Sequence, residues 1–300
     1  MKSENQIVTV SQKTVSLYIK REDLLHPFIS GNKYRKLKYN LLRAKAQGHQ
    51  RLLTFGGAFS NHIAAVAYAG QQDGFETIGI IRGEELQSKI DENPTLQFAA
   101  KCGMRLEFMS RELYRQKGDK LVTDQFLNEF GQFYLLPEGG TNQLAVAGCA
   151  EILTFEDSVF DYICCAAGTG VTCAGIINSA KEHQQILVFP VIKGDFIAAE
   201  IKSFTTNKNW RIMSGYEFGG YAKVTGGLVT FINDFYDRTA IPLDPIYTGK
   251  MVFGVMELIA SGFFPDGSKI LAIHTGGLQG IKGMNMVLKK KNLTLIKIND

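Results

Sequence analysis

Little charge of either sign is left over in this sequence. Its 33 lysines and arginines stand against 29 aspartates and glutamates, a net charge of +4. A balance that close gives no electrostatic case for a nucleic-acid partner. The run Lys289-Lys290-Lys291 reads as a solvated loop. No apolar stretch approaches the roughly 20 residues of a membrane span, so no membrane association is expected. The opening residues, Met1-Lys2-Ser3-Glu4-Asn5-Gln6, lack the apolar core of a secretory signal. Cysteines are few and odd in number: Cys102, Cys149, Cys164, Cys165 and Cys173. Three of them cluster around one strand and its loop, which argues against a disulfide framework. The five histidines, His26, His49, His62, His183 and His274, do not stand at metal-ligand spacing with them. A reducing, cytoplasmic setting and no metal are the resulting expectations. Repeats and low-complexity segments are absent as well.

What is present is an ordinary globular composition, 45% hydrophobic and 21% charged, over 300 residues. That length suits one large domain or two medium ones. Strand and helix patterns alternate. Strands are expected at 52–55, 77–81 and 105–108, and helices at 63–69 and 94–101. The second half keeps the same rhythm, which is that of parallel sheets covered by helices. Such sheets bind ligands at the carboxyl ends of their strands.

The glycine-rich turns fall at those ends. Ser30-Gly31-Asn32-Lys33-Tyr34-Arg35-Lys36 follows the strand-like 15–19 and the charged run Lys20-Arg21-Glu22-Asp23. A lysine entering a helix meets the positive end of the helix dipole. That opposition lowers its pKa toward the neutral amine, the form that makes Schiff bases. The alternative is a surface lysine on a basic helix, since Arg35, Lys36 and Lys38 follow. A second turn, Gly56-Gly57-Ala58-Phe59, leads from the strand 51–55 into Ser60-Asn61-His62 and an apolar helix. Open N–H groups at such a helix start suit a carboxylate. Ordinary capping by Ser60 or Asn61 needs no ligand and is compatible with that role. In the third, the buried strand 162–167 runs into Gly168-Thr169-Gly170-Val171-Thr172. Its glycines let backbone close around a phosphate, and Thr169 and Thr172 add hydroxyls. The loop lacks the lysine of a nucleotide P-loop and the third glycine of a dinucleotide fingerprint, so a small phosphate monoester fits it better. Further on come Asp244-Pro245-Ile246-Tyr247-Thr248-Gly249-Lys250, before a helix at 251–259, and His274-Thr275-Gly276-Gly277, after a strand at 270–273. The loops carrying Ser60, Thr169 and Thr275 are expected to converge on one crevice. His274, at a strand end beside glycines, is expected to hydrogen-bond a backbone carbonyl.

Taken in order from Lys20 to Gly280, and with Pro137-Glu138-Gly139-Gly140 between them, these motifs resemble the fold-type-II pyridoxal-phosphate enzymes. The group they resemble is that of 1-aminocyclopropane-1-carboxylate deaminase and D-cysteine desulfhydrase. The resemblance implies a tryptophan-synthase-β-like α/β fold. Two open, twisted, mostly parallel sheets would be covered by helices, with the cofactor in the interdomain cleft. It implies a larger domain, 1–36 and 144–300, and a smaller inserted domain, 37–143. The cofactor would be pyridoxal 5′-phosphate, the substrate a small amino acid, and the assembly a homodimer.

By the same resemblance Lys33 holds the cofactor covalently and moves the Cα proton. Lys36, three residues on and near the same helix face, reaches the cofactor phosphate. Asn61 bonds the ring hydroxyl oxygen, and Ser60 and His62 sit beside the substrate carboxylate. Gly168, Thr169, Gly170 and Thr172 form the phosphate cup, and Thr275 faces the pyridine nitrogen. Tyr247 and Tyr221 face the substrate. Two departures stand out. Thr248 occupies the place of a glutamate found in the deaminases proper, and Gly219-Gly220-Tyr221-Ala222-Lys223 replaces a Gly-Tyr-Gly-x-Pro segment. Loss of that glutamate favours β-elimination, with D-cysteine giving pyruvate, ammonia and hydrogen sulfide. The competing expectations are ring opening of 1-aminocyclopropane-1-carboxylate to 2-oxobutanoate and ammonia, and a non-catalytic phosphate-ligand binding protein on the same fold.

Overall fold

The computed structural model describes residues 2–10 and 14–298. Met1 and the last two residues of the 144–300 segment lie outside them. The chain begins with β1 (Asn5–Val8) and β2 (Ser16–Lys20), and then enters α1 (Asn32–Ala46). It next builds β3 (Arg51–Gly56), α2 (Asn61–Asp73), β4 (Glu76–Arg82), α3 (Pro94–Lys101) and β5 (Arg105–Met109). Helices α4 (Arg111–Arg115) and α5 (Lys120–Phe130) lead to β6 (Tyr134–Leu136) and α6 (Gln143–Ala150). The rest comprises β7 (Tyr162–Ala167), α7 (Val171–Ser179), β8 (Gln185–Pro190), α8 (Phe196–Phe204) and β9 (Trp210–Ile212). It closes with α9 (Gly226–Thr239), α10 (Thr248–Ala260), β10 (Lys269–Ile273) and α11 (Gly280–Lys290).

The strands form two sheets, ordered β1-β2-β10-β7-β8-β9 and β5-β4-β3-β6. Every pairing is parallel except β1 with β2. The expected α/β architecture of two mostly parallel sheets is therefore what the chain forms. The strand sequences explain it. Tyr162-Ile163-Cys164-Cys165-Ala166-Ala167 and Leu52-Leu53-Thr54-Phe55 are buried on both faces, as parallel strands between helix layers must be. In the six-stranded sheet the chain runs outward from β7 to β8 and β9, while β10 and β2 lie on β7's other side. The point where this order reverses, between β7 and β10, is where such sheets open a crevice at their carboxyl ends.

Buried charges lock the entry to α1. The Arg35 guanidinium donates to both oxygens of Glu22, at 2.8 and 2.9 Å, and Ser3 donates to the same carboxylate at 2.6 Å. The Glu22 carbonyl accepts the Gly31 N–H. Lys20 pairs with Asp157 at 2.8 Å, both almost wholly buried. Removing one partner of such a pair strands the other, so these residues of the 20–36 segment are committed to architecture. Among the described residues, no helix is long and apolar enough to cross a membrane. All five cysteines are buried and unpaired.

Candidate active site

Six separate stretches of chain meet at the β7–β10 opening, and close backbone approach brings them there. Gly31, just before α1, has φ +61°, and a Cβ placed on it would lie 2.0 Å from the Thr275 carbonyl oxygen. Only glycine fits, because the Asn32 N–H donates to that carbonyl at 3.1 Å. The Asn32 side chain reaches α7, donating to the Thr172 hydroxyl at 3.0 Å. Positions 277 and 61 are neighbours, since a Cβ at Gly277 would stand 2.8 Å from Asn61 Nδ2. Gly139 lies against the Thr169 methyl, and Gly168 against the Tyr247 ring. The loops carrying Ser60, Thr169 and Thr275 are thus brought together with the start of α1.

Lys33 occupies the first turn of α1 and is partly buried. It makes no hydrogen bond or ion pair with the described residues. Desolvation first, and the nearby Lys36 charge second, push its pKa well below the usual lysine value. The shift is in the direction anticipated from the motif, toward the neutral amine, and burial is its main cause. Lys36 is buried one turn on. It donates to the Gly139 carbonyl at 2.9 Å and approaches the Thr169 hydroxyl at 3.5 Å.

The start of α7 is open. Gly170 is its N-cap, in the left-handed conformation at φ +76°, and no side chain caps the helix. Its first helical bond runs from the Ala174 N–H to the Gly170 carbonyl, and the N–H groups of Gly168, Thr169 and Gly170 find no acceptor among the described residues. A helix N-terminus with unspent donors, a left-handed glycine and Lys36 alongside is an anion cradle. The need for glycine at 170 is conformational. A side chain there would point at Ile201 of α8, 3.1 Å away, and not into the cradle. The Thr172 hydroxyl already accepts from Asn32 and is nearly buried, so it holds α1 to α7 whatever else it does.

At the start of α2, Ser60 accepts the Ile63 N–H at 3.3 Å, the expected cap. Asn61 Oδ1 is buried and has no hydrogen-bond partner. His62 lies beneath. Thr54 donates its hydroxyl proton to the Leu136 carbonyl at 2.9 Å, so His62 Nε2 at 3.0 Å must be the donor to Thr54 Oγ1. His62 Nδ1 is then a bare, buried acceptor with no hydrogen-bond partner. Burial, then Lys33, then Lys36 keep this imidazole far below its normal pKa and neutral.

Tyr247 closes the opposite wall. Burial first, then the adjacent Tyr221, hold its phenol well above the usual value, so it stays protonated. The two rings meet edge-on, with centroids 6.3 Å apart. Thr248, in the place of the deaminases' glutamate, is committed to its own turn. It is fully buried, its hydroxyl donates to Asp244 Oδ2 at 2.6 Å, and it accepts the Asp244 N–H at 3.0 Å. Asp244 spends its remaining capacity on the N–H groups of Ile246, Tyr247 and Thr248. This is an internal helix cap, and it gives Asp-Pro-x-Tyr-x-Gly-Lys much of its meaning. The Thr275 hydroxyl makes no hydrogen bond with the described residues. His274 donates from Nε2 to the Pro242 carbonyl at 2.6 Å and accepts the Gly276 N–H at Nδ1, the backbone role expected of it.

Residues passed over by the sequence reading also shape the site. Asn32 and Asp244 stand inside quoted motifs, but their partners are distant in sequence or on their own turn. Lys250 is another, with both its acceptors on the loop that carries Tyr221. Burial lowers its pKa to about 8 against the pull of Asp244 and Glu217.

The arrangement fits pyridoxal phosphate. The α7 cradle and Lys36 would hold the phosphate, Lys33 offers an unpartnered amine, and the orphaned Asn61 Oδ1 offers a polar contact for the ring. A family model described as "Pyridoxal-phosphate dependent enzyme" matches residues 6–276. The chain is similar to a "Putative 1-aminocyclopropane-1-carboxylate deaminase" of Pyrococcus horikoshii, 32% identical over 288 residues that cover 88% of this chain and 85% of that one. It is 31% identical to the "Bifunctional D-cysteine desulfhydrase/1-aminocyclopropane-1-carboxylate deaminase, mitochondrial" of Arabidopsis thaliana, over 88% of this chain and 73% of that one. Among solved structures, that of an "ACC deaminase homologue" superposes with a TM-score of 0.82 at 27% identity, covering 97% of this chain and 94% of the other.

Proposed function

The chain belongs to the pyridoxal-phosphate dependent enzymes, with relatives named 1-aminocyclopropane-1-carboxylate deaminase and D-cysteine desulfhydrase, and we propose that it deaminates a small amino acid by α,β-elimination. The substrate we favour is D-cysteine, which with one water gives pyruvate, ammonia and hydrogen sulfide. When bound, the cofactor supplies the electron sink for the carbanion left by α-proton loss. Everything else falls to the protein. Lys33 accepts the Cα proton, and burial and the Lys36 charge, which lower its pKa, favour the free amine this needs. The start of α2, with Ser60, Asn61 and His62, takes the substrate carboxylate. Tyr247, kept protonated, serves as the acid for the leaving sulfur, with Tyr221 beside it. Residues 37–143 act in this reading as the smaller domain, inserted between 1–36 and 144–300.

One observation carries the choice of D-cysteine. The turn before α10 offers no uncommitted carboxylate: Asp244 is saturated by its own cap and position 248 is a threonine bonded to it. Without a carboxylate to hold a proton on the pyridine nitrogen, prompt loss of a β-leaving group is favoured over opening a cyclopropane. The second reading, the cyclopropane deaminase, is supported by the names of most relatives and by the presence of both Ser60 and Tyr247. A panel of D-cysteine, L-cysteine, β-chloro-D-alanine, D-serine and 1-aminocyclopropane-1-carboxylate, scored by keto-acid release, tests the proposal. The expected result is the highest kcat/KM for D-cysteine with sulfide released, and loss of turnover in Lys33→Ala. Efficient ring opening with negligible sulfide release would promote the second reading.

A further inference from the structure

Lys250 is placed where a cation is least welcome. It lies in the first turn of α10, near the positive end of the helix dipole, and it is 1% exposed. No carboxylate pairs with it among the described residues. Its ammonium instead donates to two backbone carbonyls, Glu217 and Gly220, each at 2.8 Å. Those carbonyls close two successive turns: Glu217 accepts the Gly220 N–H and Gly220 accepts the Lys223 N–H. Tyr221 lies within the second of these turns.

The segment would not hold this shape by itself. Phe218 and Ala222, on either side of Tyr221, adopt φ of +50° and +56°, and Gly219 and Gly220 adopt +91° and +114°. Non-glycine residues seldom adopt such angles, and they persist where surroundings over-determine them. The Phe218 ring against Phe253 of α10 is one anchor, with centroids 5.0 Å apart. Lys250 is the other. Tyr221 itself is 46% exposed, and its ring contact is with Tyr247.

We infer that Lys250 is a positioning residue, whose ammonium clamps the 217–223 turns through two carbonyls and thereby holds Tyr221 against Tyr247 at the mouth of the cleft. A buried lysine serves here because one head group satisfies both carbonyls from inside, where water does not reach. Its kinetic consequence rests on the elimination reading above; its structural consequence does not.

The test is a double-mutant cycle on the cofactor-loaded protein, combined with hydrogen exchange. Lys250→Met is expected to lower kcat/KM for keto-acid release on the order of tenfold, with Tyr221→Phe doing about the same and the pair together little worse than either alone. Independent, multiplying penalties would overturn the inference. Lys250→Gln, which keeps a donor, runs the same cycle should the methionine variant fail to fold. Exchange of the 217–223 amides should rise severalfold in Lys250→Gln, while β7 amides stay as protected as before. Unchanged exchange in 217–223 overturns the clamp whatever the kinetics. Should no member of the substrate panel be turned over, the function fails while the exchange experiment still decides the clamp.

Discussion

Two of the helices that begin at the cleft, α2 and α7, are finished differently. α2 caps itself, with Ser60 taking the Ile63 N–H. α7 has no side-chain cap and begins on a left-handed glycine, with Lys36 alongside. A helix start capped by its own serine has one donor met without a ligand, so an anion is less firmly required there. An uncapped one leaves its donors unmet until an anion arrives, so it favours a resident one. We propose that the contrast separates two anions of different residence, a cofactor phosphate at α7 and a substrate carboxylate at α2.

The largest effect expected from breaking this contrast is at Lys36. Lys36→Met removes a charged donor from the α7 end, and pyridoxal-phosphate affinity should fall roughly ten- to a hundredfold, by about 1.5–3 kcal/mol. A fluorescence titration of cofactor-free protein reads this. The same substitution relieves Lys33 of one of the two influences that depress its pKa. The amine should then become neutral only at higher pH, so the rate of Lys33 reductive methylation against pH should shift its midpoint upward. A downward shift, or none, would remove Lys36 from the tuning of Lys33.

Gly170→Ala comes next. Its φ of +76° disfavours any side chain, and the new Cβ would crowd Ile201 at 3.1 Å. A destabilisation of about 1–2 kcal/mol is expected, lowering Tm by roughly 2–4 °C per kcal/mol. The loss should appear in cofactor-free protein, because the clash lies on the α8 side and not in the cradle. A Tm unchanged without cofactor would contradict that geometry.

Ser60→Ala should have the smallest effect, about 1 kcal/mol of stability from the lost cap. It sharpens the comparison because cofactor affinity should hold while KM for the amino acid rises. A fall in cofactor affinity as large as that of Lys36→Met would erase the distinction between the two helix starts.

Much of this was legible in residue order. The alternation of strand and helix, burial of 162–167 and 52–55, and the glycine turns at strand ends are local patterns, and the two parallel sheets follow from them. The start of α1 was readable from Gly-Asn-Lys, as was the Ser60 cap from its place before an apolar run. Thr248 was not readable. Neighbouring side chains on one turn of backbone can face a ligand or each other, and the rotation of the 244–248 turn decides which. Asp244 captured the Thr248 hydroxyl. Gly170 likewise was legible as a glycine requirement, but the direction its side chain would take depends on α8, which lies some 30 residues away and packs on α7 only in the fold.

The sequence by itself determined the periodicity of strands and helices, the place of Lys33 at the start of a helix and the chemical kind of each loop, because these depend on neighbours within a turn or two. Tertiary structure alone decided which loops share a crevice. It also decided that burial is the chief cause lowering the Lys33 pKa, that Thr248 serves a cap, and that Lys250 grips the Tyr221 loop. Desolvation, unmet donors and backbone approach are properties of what surrounds a group in space, and residues as far apart as Asn32 and Thr172 or Asn61 and Gly277 become surroundings only once the sheets have folded.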